Sequence, residues 1–75
     1  MRIIISSRNQ QVTIKSEVES IDKVFVYDIL GREIYQNTKV DGNEALVSNL
    51  NYQQVLIVKV VLANGQSVSK KLLIQ

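Results

Sequence analysis

The chain contains no cysteine and no histidine. Without cysteine there is neither a disulfide framework nor a thiolate metal site. The compartment stays open, because an extracellular domain with a sufficient core needs no disulfide. Without histidine the usual general base, the commonest metal ligand and every Ser-His or Cys-His arrangement are missing. Aromatic residues are only 5% of the chain, which argues for cross-strand packing rather than a base-stacking platform. No sign of charge dominates: nine basic residues against seven acidic give +2, too small an excess to indicate a nucleic-acid partner without clustering. Long apolar runs are absent too. The longest, Val55 to Ala63, is interrupted by Lys59 and is far too short to span a bilayer. Arg2-Ile3-Ile4-Ile5 runs straight into polar residues, so no signal peptide is expected, and Met1 is read as a start codon placed before a domain from a longer protein.

What remains is ordinary for a small soluble domain. Of 75 residues, 45% are hydrophobic and 21% charged, and a chain of this length buries only ~60% of its unfolded surface, so one domain of modest stability is expected. Strand periodicity runs throughout, with no helical stretch. Arg2–Ser6 is a short apolar strand ended by the polar Ser6-Ser7-Arg8-Asn9. Gln11–Lys15 alternates, with Val12 and Ile14 on one face, and Ser16–Ser20 is a polar connection. In Ile21–Asp28, Val24 and Val26 share one face while Phe25 and Tyr27 take the other.

Arg32–Thr38 is the next strand, with Ile34 inward. Asp41-Gly42 then signals a type I′ hairpin into Glu44–Ser48. Asn49–Gln53 is a polar connection, and Val55–Leu62, apolar on both faces, is the predicted central strand. Asn64-Gly65, the strongest hairpin signal, pairs it with Gln66–Ile74. All three glycines thus fall at predicted turns. Seven short strands at roughly 8–12-residue spacing predict an all-β fold, a seven-stranded antiparallel immunoglobulin-like β-sandwich, with a small barrel as second choice. The Cys…Trp…Cys hallmark of true immunoglobulin domains is missing.

Few residue groups hint at chemistry. Asp28 and Glu33 are separated by a turn, and Asp is a natural turn residue, so a catalytic pair is not expected. Asp41-Gly42-Asn43 resembles the middle of a calcium loop but lacks the spacing that ends in a bidentate Glu. No cofactor, metal site or catalytic residue is expected. Phe25, Tyr27 and Tyr35 beside Lys23 and Arg32 would suit single-stranded nucleic acid only if they formed one platform. The pair Lys70-Lys71 is more distinctive. Lysines on a terminal strand blunt an edge against unwanted pairing. By alternation, however, Lys71 shares a face with Ser69 and Leu73, and Lys70 one with Val68, Leu72 and Ile74. A lysine on that more apolar face must snorkel or sit at the sheet's end.

Several spaced blocks form a set: Gln11-Val12-Thr13-Ile14; the run Ile21 to Ile34, in which Val24-Phe25-Val26-Tyr27-Asp28 leads to Gly31-Arg32; Ser48-Asn49-Leu50; and the closing Val68-Ser69-Lys70-Lys71-Leu72-Leu73-Ile74. From about Gln11 to Gln75 this pattern resembles the C-terminal sorting domain (type A) of proteins exported by the type IX (Por) secretion system of Gram-negative bacteria. One block departs, with Gln54 where that family has Gly and Leu56 where it has Tyr, and Asn51-Tyr52-Gln53 less turn-like than usual. The resemblance implies a non-catalytic address label at the end of a larger cargo, carried through periplasm and outer membrane to the cell surface or medium. It implies as partners the outer-membrane shuttle and translocon and a sortase-like protease that removes the label from the fused N-terminal cargo.

Within that reading the terminal strand, with Lys70, Lys71, Leu72 and Ile74, is the expected recognition element, and Val26, Tyr27, Asp28, Gly31 and Arg32 shape the motif turn. A receptor would add a strand to the terminal edge, or read Lys70 and Lys71 as charge in a patch with the Gly31-Arg32 turn. The competing reading is a structural or adhesive immunoglobulin-like module of an extracellular enzyme, and a nucleic-acid-binding barrel stands third. Pairing of exposed edges, or a swap of the strand carrying Ile3-Ile4-Ile5, would give a homodimer.

Overall fold

A computed structural model describes residues 3–51 and 53–74. The expected features that involve Met1, Arg2, Tyr52 and Gln75 lie outside the described residues. Among the described residues seven strands follow one another with no helix between them: β1 (Ile3–Arg8), β2 (Gln11–Ser16), β3 (Ile21–Asp28), β4 (Glu33–Asn37), β5 (Glu44–Val47), β6 (Val55–Leu62) and β7 (Ser67–Leu73). They form two antiparallel sheets, one ordered β1-β2-β5 and the other β4-β3-β6-β7.

The two sheets enclose one apolar core because every central strand alternates. Ile5, Val12, Ile14 and Val47 come from the first sheet; Val24, Val26, Leu56, Val58, Val60 and Leu62 from the second. Full burial of such a side chain stabilises by about 1.5–3 kcal/mol each, so the alternation itself fixes which face of each sheet turns inward. As expected, β6 lies inside its sheet between β3 and β7.

Three expectations need correction. First, Asp41-Gly42 makes no hairpin, because β4 and β5 belong to different sheets. The segment crosses between them: Ile21 N–H donates to the Gly42 carbonyl (2.6 Å) and Ser16 N–H to that of Asn43 (2.8 Å). Only Asp41 has positive φ there (52°), and Gly42 does not need its freedom. Second, Ile34 does not point inward but is 43% exposed. Val26 pairs with Tyr35 but Tyr27 with Glu33, so a bulge in β4 absorbs Ile34 and turns Tyr35 toward the core. Third, the first strand does not end at Ser6. It runs to Arg8 and turns back through Asn9 (φ 54°) and Gln10 (φ 61°), both left-handed as a type I′ turn requires. Gln10 tolerates this because its side-chain amide donates to the Leu50 carbonyl (2.9 Å), while Leu50 N–H donates to the Gln10 carbonyl (3.1 Å).

The other two hairpins share one device. In the β3–β4 hairpin Gly31 N–H donates to the Asp28 carbonyl (3.0 Å) and Asp28 N–H to that of Arg32 (2.9 Å). In the β6–β7 hairpin Gly65 and Leu62 repeat it, at 2.9 and 2.8 Å, with Gln66 in the place of Arg32. Each is a three-residue loop closing on a glycine with φ near +90°, the turn-plus-bulge form that needs a left-handed third position. Asn64-Gly65 therefore makes the expected hairpin, with glycine third in the loop rather than second.

Candidate functional site

Asp28 organises the motif turn. It ends β3 on the buried side, only 4% exposed. One carboxylate oxygen, Oδ1, accepts from the backbone N–H of Leu30 (3.0 Å) and of Arg32 (2.8 Å), and Oδ2 accepts from Arg32 Nε (2.6 Å). The Arg32 backbone N–H does most to hold the Asp28 carboxyl below the usual carboxylate range. Burial opposes it, and the Arg32 guanidinium and Leu30 N–H add to the lowering. Because Arg32 itself is largely solvent-exposed, the pair acts through geometry more than through Coulomb energy. Val26 is buried scaffold below the turn, and Tyr27 stands on the outer sheet face. The turn lifts Ile29 (67% exposed) and Leu30 (78%) into solvent. This rigid apolar tip was in view in the sequence, but its exposure follows only once Asp28 is seen to be the inward residue.

The closing strand β7 is an edge, pairing among the described residues only with β6. Its two lysines diverge. Lys71 faces outward across from Ile57. Lys70, on the side of Val68 and Leu72, reaches over the sheet rim, and its Nζ donates to the Ile5 carbonyl of β1 (2.9 Å). Of the two alternatives that alternation left for Lys70, it snorkels; its acceptor could not be read from sequence. Leu72 packs against the core and Ile74 is buried at 1%, so a receptor using those two side chains would first have to open β7. Beyond the strand, Ile74 N–H donates to the Gln54 carbonyl (2.9 Å) and Gln53 N–H to that of Ile74 (3.0 Å). The left-handed residue near that turn is Gln53 (φ 56°), and Leu56 is buried in the core.

The structure does not bring the lysines and the Gly31-Arg32 turn into one patch. β6 and β3 stand between β7 and β4, a separation of roughly 14 Å at ~4.8 Å per strand, and Lys70 points to the other face. Nor do the aromatics form one platform: Phe25 and Tyr27 stack on the outer face with ring centroids 6.4 Å apart, while Tyr35 packs inward. Among the described residues no group of three or more carboxylate, cysteine or histidine side chains is placed to hold a metal ion.

Fold and site together define a small two-sheet β-module whose distinctive features are a carboxylate-locked turn, an open edge strand and an outward lysine. The chain belongs to a family described as a domain of unknown function, DUF8694, which matches residues 1–74. Among curated proteins, none matches it.

Proposed function

We propose that the chain is an immunoglobulin-like β-sandwich acting as a C-terminal sorting domain of the type IX kind: a non-catalytic label by which a larger cargo is carried across the outer membrane. The observation that carries the reading is how the Val24–Arg32 motif is used. Its Asp, Gly and Arg are interlocked in one turn, Asp28 bonding both Leu30 and Arg32 while Gly31 takes φ +89°. The spacing D-x-x-G-R thus has a structural purpose that a chance match would not need to have. The open edge of β7 and the outward Lys71 supply what a receptor adding a strand would use, main-chain groups for affinity and alternate side chains for register.

The test is a secreted reporter carrying this domain at its carboxyl end in a bacterium with a type IX system. The intact fusion should reach the surface or medium. Lys71→Ala should reduce export severalfold with the domain still folded, and deletion of Ser69–Gln75 should abolish it. Undiminished export of a folded truncation would end the proposal.

A further inference from the structure

We infer that the outer face of the four-stranded sheet is a docking surface for an acidic segment of another protein. The two outer faces of the molecule differ in degree. On the β1-β2-β5 side the outward positions include Arg8, Thr13, Lys15 and Glu44, of both charge signs, together with the exposed aliphatics Ile4 (47%) and Leu46 (54%). On the β4-β3-β6-β7 side the outward positions carry a larger apolar set, Phe25, Tyr27, Val55, Ile57, Val61 and the 49%-exposed Leu73, interleaved with Gln36, Ser67, Ser69 and charged residues. A sheet face with this content, solvated on one side, is unusual for an isolated small domain.

Lysines predominate among the charges set into that face, which also carries Glu33 beside Tyr27, and the register aligns the lysines. Lys71 lies across from Ile57 and, beyond it, Tyr27; Ser69 from Lys59 and Phe25; Ser67 from Val61 and Lys23. Moving from one row to the next shifts the lysine by one strand, so Lys71, Lys59 and Lys23 form a diagonal across β7, β6 and β3. At ~4.8 Å between strands and roughly 6.8 Å per two residues, successive lysine Cα positions stand about 8 Å apart. An extended chain repeats same-side residues at roughly 6.8 Å, a mismatch the long lysine stems absorb. Lys59 and Lys23 are half-buried, with stems lying among apolar neighbours. Of the carboxylates nearby, Asp22 lies at the β3 bulge beside Lys23, and Glu33 on β4 lies directly across from Tyr27, in the row of Ile57 and Lys71.

Charge complementarity therefore selects the occupant. A second copy would set lysine against lysine. An extended segment with alternating Glu or Asp and apolar residues would pair its carboxylates with the diagonal while its apolar groups meet the Phe25–Tyr27 stack and the β6 aliphatics. Lysines embedded in an apolar patch also fit a partner that arrives by diffusion, since charge acts mainly on encounter rate and register. This inference stands independently of the sorting role.

The test uses the whole chain, isotopically labelled, titrated with a synthetic peptide alternating Glu with Leu and Phe and followed by amide chemical shifts. Expected are shifts at Phe25, Tyr27, Ile57 and Lys59, with binding weakened roughly tenfold between about 0.05 and 0.5 M salt. The variant combining Lys23→Gln, Lys59→Gln and Lys71→Gln should lose binding, while Lys15→Gln with Lys39→Gln should retain it. Should the triple variant fail to fold, the exposed Lys71→Gln alone should weaken binding at least twofold. The inference is overturned by shifts on the β1-β2-β5 sheet, by equal binding of the peptide with Lys in place of Glu, or by no binding. Phosphatidylglycerol vesicles broadening the same residues without peptide, or self-association through this face, would overturn it as well.

Discussion

Asp28 is one of two buried polar residues among those described, the other being Ser16, and its three acceptor contacts close the turn that displays Ile29 and Leu30. Its carboxyl is held below the usual range in the folded state, so it contributes stability that is fully present above the unfolded carboxylate pKa of about 3.9 and lost as pH falls through the lower folded value. Thermal melts should therefore show wild type more stable than Asp28→Asn by a constant margin from neutral pH down to about pH 5, shrinking below about pH 4. A margin that persists unchanged at pH 2 would mean that the charge is not what holds the turn. Sequence reasoning identified Asp28 as a turn residue because short polar side chains bond nearby backbone. It did not show which N–H groups were captured, since that depends on the loop's three-residue length. Gln10 and Gln53 were illegible for a related reason: their left-handed backbones are imposed by contacts with Leu50 and Ile74, distant in sequence.

At the scale of the element, β7 shows how one residue of alternation separates two roles. Lys70 spans the rim to β1, where the Ile5 carbonyl would otherwise face outward from an edge strand. Lys71, one position on, contacts neither the core nor β1. Lys70→Met should cost about 1 kcal/mol in urea denaturation, below the roughly 1.5–3 kcal/mol usual for a hydrogen bond to a charged group because the side chain is exposed. Lys71→Met should fall within about 0.5 kcal/mol of wild type. Equal losses would show that the bridge to Ile5 adds nothing. A defect in export from Lys71→Ala, with stability intact, is then separable from one that follows Lys70 through folding. The positions of the strands themselves were legible, because period-two alternation and the Gly31 and Gly65 turns are local signals. Asp41-Gly42 was misread for want of a non-local fact: a two-residue hairpin signal has force only if the flanking strands are neighbours.

For the whole molecule, the division into two sheets decides how stability is shared. Ile14 and Val58 lie on opposite sheets yet in one core, both fully buried, so truncating either should loosen both. Ile14→Ala should cost about 2–5 kcal/mol, and backbone circular dichroism and tyrosine fluorescence should still change together on heating. Two separated transitions would mean that the sheets unfold independently. The all-β class and the inward faces of β2 and β3 were readable from alternation. The inward face of β4, where a bulge leaves Ile34 exposed, was not. Nor was sheet membership, since nothing in β4 or β5 alone says which sheet it joins. The lysine diagonal was hidden for the same reason: Lys23, Lys59 and Lys71 are far apart in the chain, and only the register of β3, β6 and β7 aligns them.

The contact between Lys70 and Ile5 has a mechanical side. β1 and β7 lie against each other along the rim, but neither is among the other's ladder partners. The shell is accordingly a clasp rather than a closed ring. Force that parts these strands meets one ammonium–carbonyl link and the side-chain packing beneath it, whereas separating β6 from β3 must break a run of backbone bonds. That rim should yield before the ladder between β3 and β6 does.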